Sequence, residues 1–291
     1  MDAKQAAQTT ADHLEAYRAG AADAVADLLQ DVWVRAAPLP EEQAGRDWGI
    51  GDVDYLAVGT PVPILRAIGK EIGKRARRDV DAYLPLIHLL WSDYGREGRV
   101  MAAVALGPME LAEPERIVPL IHGLAQTCIF WEDCDQLAMK ALEPILRREP
   151  ANWLERLGTW VRDDDKWVRR AALTAIGRLP MEAPDYTARC VALLEPALGD
   201  PDRDVKRALS FALRVSARGQ VEPVKAFIRD HRDVTDADSL WVLSDVMRSM
   251  TRQLLPQFVD LLPVYRRWLE TAEPRAQRSV EGAIRTLKAV Q

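Results

Sequence analysis

The chain has 291 residues, 48% of them hydrophobic, and a formal net charge of −5. This length allows one elongated domain or two compact ones, and the apolar content is ample for a core. No apolar run approaches the roughly 18 residues of a membrane span, and the N-terminus lacks the basic-then-apolar order of a signal peptide. Three cysteines without a CxxC pair favour a reducing, cytoplasmic compartment, and four scattered histidines predict no metal site.

Residues 1–54 are predicted to form an acidic helical cap, and residues 55–291 one continuous repeat domain, joined through a short loop at residues 49–52. Prolines and glycines punctuate the chain so that helices of about 10–18 residues fit between them. Apolar residues recur at helical spacing, as at Leu84, Ile87 and Trp91, and no alternating strand pattern is present. The predicted secondary structure is therefore helical throughout.

Residues 163–171 and 200–208 are similar in sequence at a shift of 37. Each segment begins with an acidic turn, whose aspartates suit the N-cap of the next helix, and continues with Val and Ala three residues apart. Paired helices with a period in the high thirties are typical of HEAT-like repeats, which stack because no repeat buries its apolar face alone. The sequence thus predicts an all-α fold, an α-solenoid of HEAT-like repeats.

Charge is unevenly distributed along the chain. The first 60 residues are acidic, whereas residues 140–218 hold fifteen bases against twelve acids, and a further basic run lies at residues 70–78. Local potential, rather than net charge, decides whether a phosphate backbone is attracted. Each basic cluster is equally consistent with a solvated helix face.

Aromatic and charged side chains recur in step with the repeat. Residues three or four apart share a helix face, and a carboxylate one turn from an indole is costly to bury unpaired. A tryptophan in such a repeat is most often core, and a structural arginine is common, so the recurrence carries the functional hypothesis. The pairs are Trp131 and Asp135, Trp167 and Arg170, and Phe211 and Arg214.

These residues resemble a known family, the AlkD-like DNA alkylation-repair glycosylases, which are built from HEAT-like repeats. The resemblance covers about residues 58–232. The family's Trp and Asp four residues apart stand here as Trp131 and Asp135, and its Trp-x-x-Arg-Ala-Ala motif as residues 167–172. Its helix with an aromatic and an arginine contains Phe211 and Arg214 here. The family usually has tryptophan where this chain has Phe211, and the chain extends beyond the usual family length at both ends.

The resemblance implies a DNA glycosylase that hydrolyses the N-glycosidic bond of cationic N3- or N7-alkylated purines in duplex DNA, without deep base flipping. An aspartate near the sugar stabilises the positive charge that develops there, and the reaction needs no cofactor and no obligate protein partner. The catalytic residues are predicted to be Asp135, Trp131 and Phe211. The predicted DNA-binding residues are Arg170, Arg214, Trp167, Arg169, Lys206 and Arg207. The residues expected to line one concave wall are Trp131, Asp135, Arg170, Phe211 and Arg214.

Two other functions stay open at this stage. A non-catalytic relative that binds damaged or branched DNA is favoured by Phe211, and a protein-interaction scaffold by the acidic N-terminal segment. The pair of Trp131 and Asp135 favours the glycosylase, because a pure DNA-binding protein has little use for a carboxylate that faces phosphates.

Overall fold

The computed structural model describes residues 1–15, 17, 19–37 and 57–291. Over these ranges the chain is all-α and contains no strand, which confirms the predicted fold class. Every helix there falls short of the length and hydropathy that a membrane span requires. The contacts divide the chain into two units, Met1–Ile145 and Leu146–Gln291. The predicted join at residues 49–52 lies outside the described residues.

The first unit is a stack of paired helices. Helices α1, α3 and α5 pack side by side, and α2 packs against α4. The N-terminal helices therefore add to the stack formed by those that follow. The helices are α1 (Ala3–Glu15), α2 (Ala22–Val34), α3 (Val62–Ala76), α4 (Val80–Asp93), α5 (Gly95–Ala112), α6 (Pro114–Gln126), α7 (Trp131–Gln136) and α8 (Glu143–Arg148), the last containing the boundary between the units.

The second unit has a row of long helices and a row of short ones. Helices α10, α12, α14 and α16 pack in sequence, and we call them the long-helix row; α9, α11 and α13 pack in a second row. The helices are α9 (Pro150–Gly158), α10 (Lys166–Arg178), α11 (Thr187–Leu194), α12 (Arg203–Ser216), α13 (Val221–Asp230), α14 (Ala237–Arg248), α15 (Leu262–Thr271) and α16 (Pro274–Lys288).

Aspartates cap three helices of the long-helix row. Asp165 accepts hydrogen bonds from the backbone N–H groups of Trp167 and Val168, and Asp202 and Asp236 cap α12 and α14 in the same way. The Val and Ala that follow the first two caps are fully or almost fully buried. The predicted caps and the predicted seam are both confirmed, which places the repeats in register.

Polar contacts join successive repeats. Lys206 forms a salt bridge with Asp238 at 2.7 Å, and the Ser210 hydroxyl donates to Asp245 at 2.7 Å. The partners in these pairs are 32 and 35 residues apart, close to the repeat period. Equivalent positions of neighbouring repeats therefore meet, so each repeat aligns the next one through side chains as well as through its apolar seam.

The helix that begins at Trp131 contains a π-helical turn, Leu137–Leu142, between α7 and α8. Pro144 has no N–H to donate to the Lys140 carbonyl, and in an α-helix its ring would clash with that carbonyl. A π-turn avoids the conflict, because its hydrogen bonds run one residue further. Gly107 of α5 accommodates the displaced carbonyl, since a Cβ there would lie 2.2 Å from the Lys140 oxygen.

Candidate functional site

Trp131 and Asp135 lie one turn apart on α7. The Trp131 residue is 44% exposed, and its ring packs at a tilt against Phe130, with 5.1 Å between the ring centroids. Asp135 is partly buried. The core interpretation, the most frequent one for a tryptophan in a helical repeat, therefore does not hold for Trp131. An indole face and a carboxylate are presented together on one short helix.

A bidentate ion pair holds the start of this helix. The Arg96 guanidinium of α5 donates to both Glu132 carboxylate oxygens, through Nε at 2.7 Å and Nη2 at 2.9 Å. Both side chains are largely buried, at 7% and 15% exposed. Burial alone would lower the pKa of Arg96, but its hydrogen bonds and its attraction to Glu132 and Glu97 outweigh burial and raise that pKa. Arg96 is therefore a firmly charged anchor.

A second ion pair fixes the turn before the helix. Arg99 donates to the fully buried Asp133 carboxylate at 2.8 Å and to the Thr127 carbonyl at 3.1 Å. Its guanidinium lies 5.0 Å from the ring centroid of Trp91, whose indole N–H donates to the Thr127 hydroxyl at 2.8 Å. Together the two pairs pre-position Trp131. Neither pair was predicted from the sequence, although their separations of 36 and 34 residues match the repeat.

Replacing Trp131 with alanine is expected to cost about 1 kcal/mol or less of unfolding free energy, because much of the indole is already in water. Trp268 is the matched control, since it is fully buried and its replacement with alanine should cost about 3–5 kcal/mol. Urea unfolding of both variants measures the difference. Equal losses of unfolding free energy in the two variants would mean that Trp131 is part of the core.

Trp167 and Arg170 of α10 are both buried, unlike Trp131. Trp167 is 8% exposed, with the Lys166 ammonium 4.5 Å from its ring centroid. Arg170 is 7% exposed, and its Nη1 donates to the Asp204 carbonyl at 2.8 Å. This contact joins α10 to α12, so Arg170 supports the long-helix row whether or not it also reaches a phosphate.

Two further predicted DNA contacts form ion pairs between repeats. Arg169 donates to Asp200 at 2.8 Å and to the Asp163 carbonyl at 2.8 Å, and Lys206 pairs with Asp238. Binding DNA through either side chain would mean exchanging these partners. By contrast, Arg207 is exposed on α12. That all of them contact DNA stays a prediction.

Phe211 and Arg214 form an aromatic–cation contact on α12. Phe211 is partly exposed, and the Arg214 guanidinium carbon lies 5.9 Å from its ring centroid. Arg214 also donates to the Ser249 carbonyl at 3.3 Å. Burial lowers the pKa of Arg214, opposed by the attraction of Asp245. Phe211 and Arg214 belong to the second unit and Trp131 to the first, so the single concave wall stays a prediction.

Comparisons with known proteins include a family match that covers the candidate residues. A sequence model of the family described as DNA alkylation repair enzyme matches residues 50–240. This range contains both residues of the α7 pair, both pairs of the second unit, and the arginines Arg96 and Arg99 that position α7.

Two other similarities are weaker. A probable coatomer subunit gamma from Caenorhabditis elegans is 27% identical over 169 residues, which are 55% of this chain and 19% of that protein. The chain therefore spans about a fifth of that relative's length. A solved engineered protein from the Northeast Structural Genomics Consortium is 16% identical, with 70% of this chain and 98% of that chain covered and a TM-score of 0.35. On the family match over residues 50–240, the chain belongs to the family of DNA alkylation repair enzymes.

Proposed function

We propose that this protein is a monofunctional DNA glycosylase that releases cationic N3- or N7-alkylated purines from duplex DNA. The observation that carries the proposal is the half-exposed indole of Trp131, one turn from the Asp135 carboxylate. The ion pairs of Arg96 and Arg99 hold this helix in place. Preorganised charges and dipoles beside a reacting group stabilise its transition state without reorganisation during the reaction.

The proposed reaction uses water as the nucleophile. When the bond between the sugar and the alkylated base breaks, its electron pair leaves with the cationic base, which becomes neutral, and the positive charge passes to the sugar. Asp135 stabilises that oxocarbenium-like sugar and orients the water. The face of Trp131 adds a cation–π attraction. The water oxygen bonds to the sugar, and its proton passes to Asp135 or to solvent.

Binding of the duplex is assigned to arginines of the second unit. Guanidinium groups bind phosphates through two parallel N–H donors, which suits Arg214 beside Phe211 and the exposed Arg207. Arg170 is included as a weaker candidate, because its Nη1 already donates to the Asp204 carbonyl. The base is proposed to stay stacked in the duplex, as the resemblance to the glycosylase family implies.

The direct test is incubation of the protein with a duplex that carries N7-methylguanine, followed by measurement of the free base. The proposal expects release of the base, with an alkali-labile abasic site left in the strand. Tight binding without release would favour the non-catalytic DNA-binding protein. A protein that neither binds duplex DNA at low salt nor releases base would favour the scaffold.

Phe211 is where the chain departs from the family pattern, and it provides a separate prediction. Replacing Phe211 with tryptophan is expected to raise excision severalfold, because an indole binds a cation more strongly than a phenyl ring by on the order of 1 kcal/mol. Affinity for undamaged duplex should change little. The measurements are single-turnover excision and thermal stability. A less stable variant that excises no faster would assign Phe211 to packing.

A further inference from the structure

Three helices of the long-helix row carry an arginine at one fixed position, and two of these arginines lie beyond the matched residues 50–240. Helices α12, α14 and α16 have their N-caps at Asp202, Asp236 and Glu273. Counting twelve residues on from each N-cap reaches an arginine in every case. We call these three residues the arginine column: Arg214, Arg248 and Arg285.

Side-chain contacts show that the members of the column are neighbours in space. Arg214 donates to the carbonyl of Ser249, the residue that follows Arg248. A Cβ built on Gly282 of α16 would lie 2.9 Å from Cδ of Arg248 and 3.9 Å from Nη2 of Arg285. The Arg248 side chain thus crosses α16 where a glycine leaves room for it, next to Arg285. The position twelve residues after each N-cap and the side-chain contacts between the helices therefore identify the same three arginines.

Positive charge prevails in this part of the chain. Residues 241–291 contain eight basic and five acidic residues, a net charge of +3, although the whole chain carries −5. Asp245 pairs with Arg248 at 3.0 Å, and Glu281 lies 3.9 Å from Arg285. The Arg285 side chain is nevertheless 72% exposed and that of Arg248 32%. Both guanidinium groups are accessible to an anionic partner.

A second set of equivalent positions on the same three helices is also suited to binding an anionic partner. Five residues after the N-caps of α12 and α16 stand Arg207 and Arg278, both exposed. The equivalent residue of α14 is Trp241, partly exposed, with Lys206 and Arg248 each 5.9 Å from its ring centroid. Basic side chains therefore flank an aromatic one between the two rows.

We propose that the arginine column extends the DNA-binding surface past residue 240, where it contacts the phosphates of the duplex away from the lesion. This rests on the proposed function, because Arg214 is both a member of the column and one of the arginines assigned to phosphate. Packed helices are about 8–10 Å apart, so the column spans about 20 Å. Duplex DNA carries one charge per about 1.7 Å of its axis, so several phosphates lie within that span.

The test compares Arg248→Ala/Arg285→Ala with Arg266→Ala/Arg267→Ala, which removes two charges from α15, outside the long-helix row. Fluorescence anisotropy measures Kd on undamaged duplexes of increasing length and at several salt concentrations. For the column variant, the slope of log K against log salt should fall by roughly 1.8, at about 0.9 per lost contact. With increasing duplex length, its affinity should also reach a plateau at a shorter duplex than the affinity of the wild type does. The α15 variant should behave like the wild type.

A charge-preserving variant separates electrostatics from folding. Arg248→Lys/Arg285→Lys should keep the wild-type salt slope, whereas a loss equal to that of the alanine variant would overturn the inference. Unchanged affinity and slope in the alanine variant would overturn it as well, even when the wild type excises alkylated purines. A wild type that binds no duplex at low salt would overturn both this inference and the proposed function.

Discussion

Replacing Asp135 with asparagine is expected to slow single-turnover excision of alkylated purines by about 10²–10³-fold, the usual cost of losing one positioned electrostatic group. Asparagine keeps the size of the side chain but removes its charge and replaces one acceptor oxygen with an amide donor. The fold and the affinity for undamaged duplex should therefore stay as in the wild type. Quench-flow or manual sampling of free base at saturating protein measures the rate, and anisotropy measures the affinity.

An exposed carboxylate outside α7 serves as the control for this result. Asp93 is exposed at the end of α4, and Asp93→Asn removes the same charge without touching the helix of Trp131. Its excision rate should match the wild type. If the Asp135 variant releases base as fast as the wild type, Asp135 is not the catalytic group and the proposed chemistry fails.

Replacing Arg96 with methionine is expected to lower the unfolding free energy by about 3–5 kcal/mol, because it leaves Glu132 largely buried without its cation. Methionine retains most of the volume, so the cost is mainly electrostatic. Removing both charges together, in Arg96→Met/Glu132→Met, should restore much of the loss. Urea unfolding of the two variants and the wild type provides the measurement.

The matched control for Arg96 is an exposed ion pair. Arg35 and Asp31 are 3.9 Å apart, and both side chains are 69% exposed. Solvent screens such pairs, so Arg35→Met should leave the unfolding free energy nearly unchanged. An Arg96 variant as stable as the Arg35 variant would show that the pair with Glu132 does not anchor α7. The Arg96 variant should lose both stability and excision rate, whereas the Arg35 variant should keep both.

The all-α fold and its repeat register could be predicted because their signals are local and recur along the chain. Asp165 and Asp202 cap helices as expected, since a cap depends on a few adjacent residues. The π-helical turn was not predicted. Its sequence signal was Pro144 within an otherwise helical pattern, and its structural requirement, Gly107, lies on another helix.

The candidate site could be predicted only in part, because spacing does not determine which face of a helix is covered. Trp131 and Trp167 occur in similar motifs, yet one is half-exposed and the other buried, a difference set by packing against neighbouring helices. Arg96 was missed because charges were compared along one helix rather than across repeats. Comparing them at a separation of about 36 residues would have paired Arg96 with Glu132.

The π-helical turn has a consequence for how this site can be lost in evolution. An α-helix turns by about 100° per residue, at 3.6 residues per turn. Replacing Pro144 with a residue that has a backbone N–H would remove the clash that requires the π-turn, and Leu137–Leu142 would relax to α-geometry. The extra residue that the π-turn absorbs would then rotate Trp131 and Asp135 by about that angle relative to the start of α8. A gene could thus encode both residues unchanged and still specify a protein in which they point in another direction. An alignment would show only a substitution at Pro144.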